Sequence, residues 1–451
     1  MKKFLFNRAS KIALAILLLA PAAVWAQGQK VSYGTPSYWR PYDQSGINVF
    51  ETGKKDDSVT FDGLRVRLGA GFTQQFQNLK HENPGALNNM STNRLYPLAP
   101  GFMTAMANLF MDVQLADGIR LNVTTYLSTR HHNEAWVKGG YIQFDKLPFK
   151  GQFWTNLMKV TTIKVGHMEV NYGDAHYRRS DAGQALYNPF MESYILDAFA
   201  TEIGGEVIVQ HNGFFAVGGI TGGMIKGNVD SIVKTAIDDN NKRSPSLIGK
   251  IGLDKKIGDN VRLRLSLSGY HNGSSAASGL TLYGGDRGGS NYQNVVETAP
   301  AYPTLPASTT IAFSGRLNPN FSKKVDAVMF NAFLKAGGLE LFGTYENANG
   351  RTAKETTVRN THQYAADVVY RFGHEENLFV GARYNNVKAR LSGMANDISV
   401  DRFAGAAGWF VTKNILMKGE YVLQNYYSFP SSDYRSSAKF NGYVIEAVVG
   451  F

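Results

Sequence analysis

The chain contains no cysteine in 451 residues. Disulfides are therefore excluded as a source of rigidity, and so are thiolate zinc sites. Beyond the N-terminus it also lacks any apolar run of the ~20 residues a helix needs to span a bilayer. It carries no GxSxG, HExxH, P-loop or GxGxxG in a strand–turn–helix setting, so the common hydrolase, metalloprotease and nucleotide-binding signatures are missing. Its 47 Lys and Arg outnumber 36 Asp and Glu. They are not gathered in one run, which argues against a nucleic-acid-binding arm.

What is present is glycine (47), tyrosine (23) and phenylalanine (27). That composition suits many short strands joined by turns. Residues 1–26 combine Lys2, Lys3, Arg8 and Lys11 with a short apolar run (Ile12–Ala20), Pro21 and a small residue at Ala26. This reads as a secretory signal peptide cleaved after Ala26. Its removal takes four of the eleven net positive charges and leaves the rest moderately basic. An exported protein without disulfides needs another scaffold.

Period-two alternation supplies it. In 64–72, Leu64, Val66, Leu68, Ala70 and Phe72 share one face, and Arg65, Arg67, Gly69 and Gly71 the other. In 108–115, Leu109, Met111, Val113 and Leu115 alternate with Asn108, Phe110, Asp112 and Gln114. The same rhythm runs through 119–130, 247–270, 363–373, 377–386, 402–411 and 415–426. Short turns (116–118, 256–260, 373–376, 412–414) trade with long polar stretches (78–98, 226–245, 271–306, 347–360, 427–436). The last ten residues, "GYVIEAVVGF", alternate to the final atom: Tyr443, Ile445, Ala447, Val449 and Phe451 form a wholly apolar face.

A polar face and an apolar face in strand after strand fit a barrel in lipid, greasy side out. Such a sheet must close, because an unpaired edge in hydrocarbon strands its backbone groups. The expected fold is therefore all-β: a transmembrane antiparallel up-and-down β-barrel over 59–451, with an N-terminal extension at 27–58. About seventeen strand candidates, and the even count of bacterial barrels, give sixteen strands, with fourteen and eighteen as neighbours.

Signal, alternation and terminal aromatic together resemble Gram-negative outer-membrane β-barrel proteins. In that class a C-terminal signature like Phe451, Val449, Ala447, Ile445 and Tyr443 is read by the barrel-assembly machinery. A narrower resemblance lies in 163–207. "IKVGHMEV" (163–170) and "PFMES" (189–193) look like the phosphate-selective porin family, although "NYGD" (171–174) stands where that family has a Pro-Phe-Gly turn. The resemblance covers about 60–210 and the C-terminus. It implies a sixteen-stranded barrel, a homotrimer and a long loop folded into the lumen, in the cell outer membrane with its lipids and lipopolysaccharide.

If the polar face lines a lumen, its charges set what passes. The inward-phase cations are Arg65, Arg67, Arg120, Lys164, Lys250, Arg262, Arg264, Arg371, Arg383, Arg402 and Lys418. The acids are Asp112, Asp254, Glu340, Asp367 and Glu420. The cations either tune selectivity or brace the wall against the acids, or both. Residues 171–202 are the constriction candidate: Arg178 and Arg179 could face Asp174, Asp181, Glu192 and Asp197. His131-His132 point opposite ways on a strand, and "DDNNK" (238–242) reads as a solvated loop.

The expected function is a porin passing small anionic or neutral hydrophilic solutes by diffusion, with a mild anion preference, no catalysis and no cofactor. Two rivals remain. One is a barrel enzyme of phospholipase or protease type, for which His167, Asp174 and His176 are the cluster to test. The other is a plugged structural or adhesive barrel.

Overall fold

The computed structural model describes residues 31–54, 59–87, 93–128, 135–180, 185–223, 229–231, 237, 241–276, 279–285, 291–299 and 314–451. The signal segment 1–26, His131-His132, Asp181 and most of "DDNNK" lie outside them.

Sixteen strands form one antiparallel ring: β1 (Leu64–Glu82), β2 (Met106–Ala116), β3 (Ile119–Ser128), β4 (Ala135–Phe144), β5 (Thr161–Glu169), β6 (Thr201–His211), β7 (Phe214–Thr221), β8 (Ser246–Ile257), β9 (Val261–Asn272), β10 (Lys324–Ala336), β11 (Leu339–Arg351), β12 (Arg359–Phe372), β13 (Leu378–Ala389), β14 (Ile398–Thr412), β15 (Ile415–Tyr427) and β16 (Lys439–Gly450). Two short strands, Val31–Tyr33 and Gly101–Phe102, lie alongside β1. A seven-residue helix α1 (Gln152–Met158) joins β4 to β5.

The ring closes between last and first strands. The β16–β1 register runs from Lys439↔Glu82 to Gly450↔Gly71. One residue further, Phe451 and Ala70 exchange both backbone hydrogen bonds at 3.0 Å. The amide of Phe451 is thus part of the seam.

Alternation decides which face is which. On β12, Tyr364, Val368, Tyr370 and Phe372 are about half exposed, while Asp367 and Arg371 are 2% and 3% exposed. Leu68, Leu109, Val165, Ile251, Val328 and Ile445 continue the outward apolar band. Aromatics bound it at both ends: Tyr345, Tyr364, Tyr384 and Tyr427 toward the long loops, Phe214, Phe372, Trp409 and Phe451 toward the short turns. Such girdles mark the two interfaces of a membrane barrel. Asn212-Gly213 is one of four two-residue connections on the short-turn rim, with φ +50° and +83°. Two positive φ values match the twist of a two-residue hairpin, and Asn-Gly adopts them most readily.

Two expected loops are partly strand. The stretch 347–360 shrinks to 352–358, and β1 continues through residue 82. Both extensions rise beyond the apolar band, so their side chains are polar and read as loop. There Asn360 donates to Asn347 at 3.0 Å and to Asn349 at 3.1 Å, a cross-strand ladder outside hydrocarbon.

Candidate functional site

The core of this barrel lies inside the lumen, on one side. The described residues of 170–200, between β5 and β6, fold inward, and almost every one is buried. Their backbone is held by side chains from the far wall. The amide of Ile195 donates to Asn385 at 2.7 Å and that of Met191 to Glu420 at 2.9 Å. Arg383 and Arg402 donate to the carbonyls of Glu192 and Ser193 at 2.8 and 2.9 Å. Lys418 caps the carbonyls of Ala185, Asn188 and Phe190. Met191, Ile195 and Leu196 then pack with Val387, Val400 and Val422 of β13–β15, all at most 1% exposed. The long β9–β10 connection adds Tyr292, Val295 and Leu317 to the same cluster. Backbone polar groups in a lumen need partners, and β12–β15 supply them.

A second segment, 31–54, travels round the inside of the short-turn rim. Ser32 begins beside Arg65 of β1. Trp39 and Tyr42 donate to Asp112 of β2 at 3.0 and 2.8 Å. Gln44 meets the β14–β15 and β12–β13 turns at Lys413 and Glu375. Asn48 donates to Glu340 of β11 at 2.6 Å, and Arg262 of β9 donates to its carbonyl at 2.8 Å. Glu51 pairs with Lys250 of β8 and Arg264 of β9 at 3.3 and 2.8 Å. Lys54 reaches Asp145, just past β4, at 3.2 Å. From Trp39 onward these contacts follow the ring, from β2 past the β14–β15 and β12–β13 turns to β11, β9, β8 and the end of β4, so the segment forms a collar. Its 24 residues extend at most about 80 Å, comparable to sixteen strands about 4.8 Å apart.

Collar, inserted loop and wall meet in one ionic cluster. Asp174 accepts from Arg264 at 2.8 Å twice, from Lys250 at 3.1 Å and from Ser266 at 2.7 Å. Burial alone would raise the Glu51 and Asp174 carboxyls, but the Lys250 and Arg264 charges overcome it and hold both below their ordinary values.

The other side of the lumen stays open. A cavity of about 200 Å³ runs between the inserted segments and the β2–β6 wall. Asn108, Arg120, Asn122, Thr124, Tyr141 and Lys164 line it from the wall; Trp39, Arg40 and Tyr42 from the collar; Asn171, Tyr177 and Phe199 from the loop. Four cations (Arg40, Arg120, Lys138, Lys164) and three carboxylates (Glu51, Glu169, Glu206) border this crescent. Each carboxylate has its own cation or histidine: Glu51 as above, Glu206 with Lys164 at 3.2 Å, Glu169 with His176 at 3.2 Å. Arg40 instead donates to the carbonyls of Gly46 and Tyr177, at 3.0 Å each. The crescent's balance is thus slightly positive.

The cations singled out in the sequence are placed as follows. Arg120 pairs with Asp112 at 2.6 Å, Arg262 with Asp254 at 2.7 Å, Arg371 with Glu340 at 2.9 Å, Arg383 with Asp367 at 2.7 Å. Arg65 pairs with Asp62 at 3.1 Å, and Arg67 lies 4.0 Å over the Trp39 ring. Arg264 and Lys164 have the partners given above. Arg178 and Arg179 do not edge an open eyelet. Arg178 donates to Asn48 at 2.6 Å beside Glu340, Arg179 pairs with Asp197, and the space left there is about 20 Å³, room for one water. Glu192 pairs with Arg316. His167, Asp174 and His176 do not form a relay, because Asp174 is committed to Arg264, Lys250 and Ser266 while His176 turns to Glu169 and Asn171.

Sequence reasoning missed Lys138. A β-bulge sets Thr124 opposite Gly139 and Thr125 opposite Val137, leaving Lys138 as the extra residue. A bulge re-aims side chains, and here it sends a lysine to the crescent, 5.6 Å from the Phe199 ring. Alternation cannot reveal a residue whose presence breaks the alternation.

No protein-family profile and no curated protein matches the chain. Solved structures do. The chain is similar to the anion-selective porin from Comamonas acidovorans, with TM-score 0.52 and 11% identity over 86% of this chain and 100% of that one. The fold is that of an outer-membrane porin. The porin fold and the lipid-facing band with its girdles place the protein in the outer membrane. The outer membrane channel DcaP of Acinetobacter baumannii is also similar, with TM-score 0.48 and 11% identity over 87% and 99% of the two chains.

Proposed function

We propose that the protein is a passive channel whose path is the crescent along β2–β6, conducting small hydrophilic solutes with a mild preference for anions. The observation that carries this reading is the asymmetry of the lumen. The described residues of 170–200 pack closely against β12–β15, while the β2–β6 wall keeps polar side chains facing a cavity. Selectivity is assigned to Lys138, Lys164, Arg120 and Arg40 at the crescent. Arg262, Arg264, Arg371, Arg383, Arg178 and Arg179 brace the wall, the inserted loop and the collar through their carboxylates. The two roles weighed for the inward cations thus divide by position.

Tyr443, Ile445, Ala447, Val449 and Phe451 remain the proposed assembly signal. The homotrimer belongs to the same proposal, and light scattering of the detergent-solubilised protein tests it. Planar-bilayer recording tests the channel itself. Ohmic steps, with a reversal potential on the anion side in a salt gradient, support it; absence of steps removes it. Lipid or peptide hydrolysis by the purified protein would favour the barrel-enzyme reading instead.

A further inference from the structure

The short-turn rim is uneven. Six of its connections span two to five residues, whereas residues 145–160 between β4 and β5 span sixteen and carry α1. This insertion exposes what a rim in water would hide. Phe149, Phe153 and Leu157 are 56%, 68% and 37% exposed. Trp154 sits between the two phenylalanines, its ring centroid 5.2 and 5.1 Å from theirs. Residues 146–160 contain three lysines and no acid, and Lys150 and Lys159 are exposed. Below the insertion the lipid-facing band continues without a break, through Ile142 of β4 and Val165 of β5.

We infer that residues 146–160 form a foot that lies in the interface of the periplasm-facing leaflet and binds anionic phospholipid headgroups. Aromatic side chains favour the headgroup level, where an apolar body and a wet rim coexist. A basic, aromatic, acid-free segment beside the membrane draws negatively charged lipid. The uniform charge sign and the continuity with the lipid-facing wall favour lipid over a second copy of the chain. The foot stands outside the lumen and does not depend on whether the barrel conducts.

Brominated lipids test it. The full-length protein is reconstituted in vesicles containing brominated phosphatidylcholine or brominated phosphatidylglycerol, and the Trp154 signal is isolated by subtraction of the Trp154→Phe variant. The expected result is quenching by both lipids and stronger quenching by the anionic one, with that preference lost in the Lys150→Gln/Lys159→Gln variant. Both lysines are exposed, so that variant retains the barrel. No Trp154 quenching, or equal quenching by the two lipids in the unaltered protein, overturns the inference. So does dissociation of an oligomer in a Phe153→Ser variant, which would assign the face to a neighbouring protomer.

Discussion

The two halves of the lumen use the same residue types for opposite ends. Along β8–β15, buried arginines and lysines bind carboxylates and loop carbonyls so completely that the interior behaves like a protein core. Along β2–β6, polar and charged side chains face a cavity. A charge on the inner face of a barrel is therefore not by itself a selectivity element. What matters is whether the chain sends a segment back to cover it.

The largest contrast should appear in stability. Arg383→Met leaves Asp367 buried without its 2.7 Å partner and strips a donor from the Glu192 carbonyl. Breaking a buried pair costs about 3–5 kcal/mol. Thr124→Ala, on the crescent, should cost about 0.5 kcal/mol or less. Urea unfolding in lipid vesicles, followed by tryptophan fluorescence, measures both. Equal losses would erase the distinction between the halves.

Acid should loosen the filled side through the collar. Glu51 and Asp174 have folded pKa values below their ordinary ones. The stabilisation from their pairs is therefore complete above the unfolded values and lost as pH falls through the lowered folded ones. Conductance should stay constant from pH 7 to about 5 and rise only in stronger acid, as the collar is freed. Glu51→Gln should produce the open level at pH 7. An unchanged conductance in that variant would show that the collar does not narrow the mouth.

Selectivity should respond on the crescent alone. Lys138→Glu should move the reversal potential toward cations, whereas Arg178→Glu should lower stability and leave the reversal potential of surviving channels in place. The reverse outcome would return the constriction to the loop. A small effect is also expected at the rim. Asp43→Asn removes a 3.5 Å pair with the largely exposed Lys413 and should change stability by about 1 kcal/mol or less.

The barrel was legible because lipid and water impose period two on every strand, and the last strand was legible because Tyr443, Ile445, Ala447, Val449 and Phe451 hold one apolar phase. The inward phase of Arg120, Arg264, Asp367 and Arg383 followed from the same rule. Their partners did not, since Asp174 meets Arg264 across 90 residues and no local pattern records that distance. The collar escaped notice for a related reason: residues 31–54 have no period because their contacts pass from strand to strand around the rim. Lys138 was hidden by the bulge that gives it its position.

Cysteine accessibility tests the half-filled lumen most directly, because the chain supplies no thiol of its own. A charged thiol reagent added during single-channel recording should reduce the current through Thr124→Cys, whose side chain lines the crescent. It should leave Ala404→Cys unmodified, since Ala404 is 1% exposed within the packed side. Modification and block at residue 404, or an unaffected current with reagent at residue 124, would contradict a path confined to the β2–β6 wall.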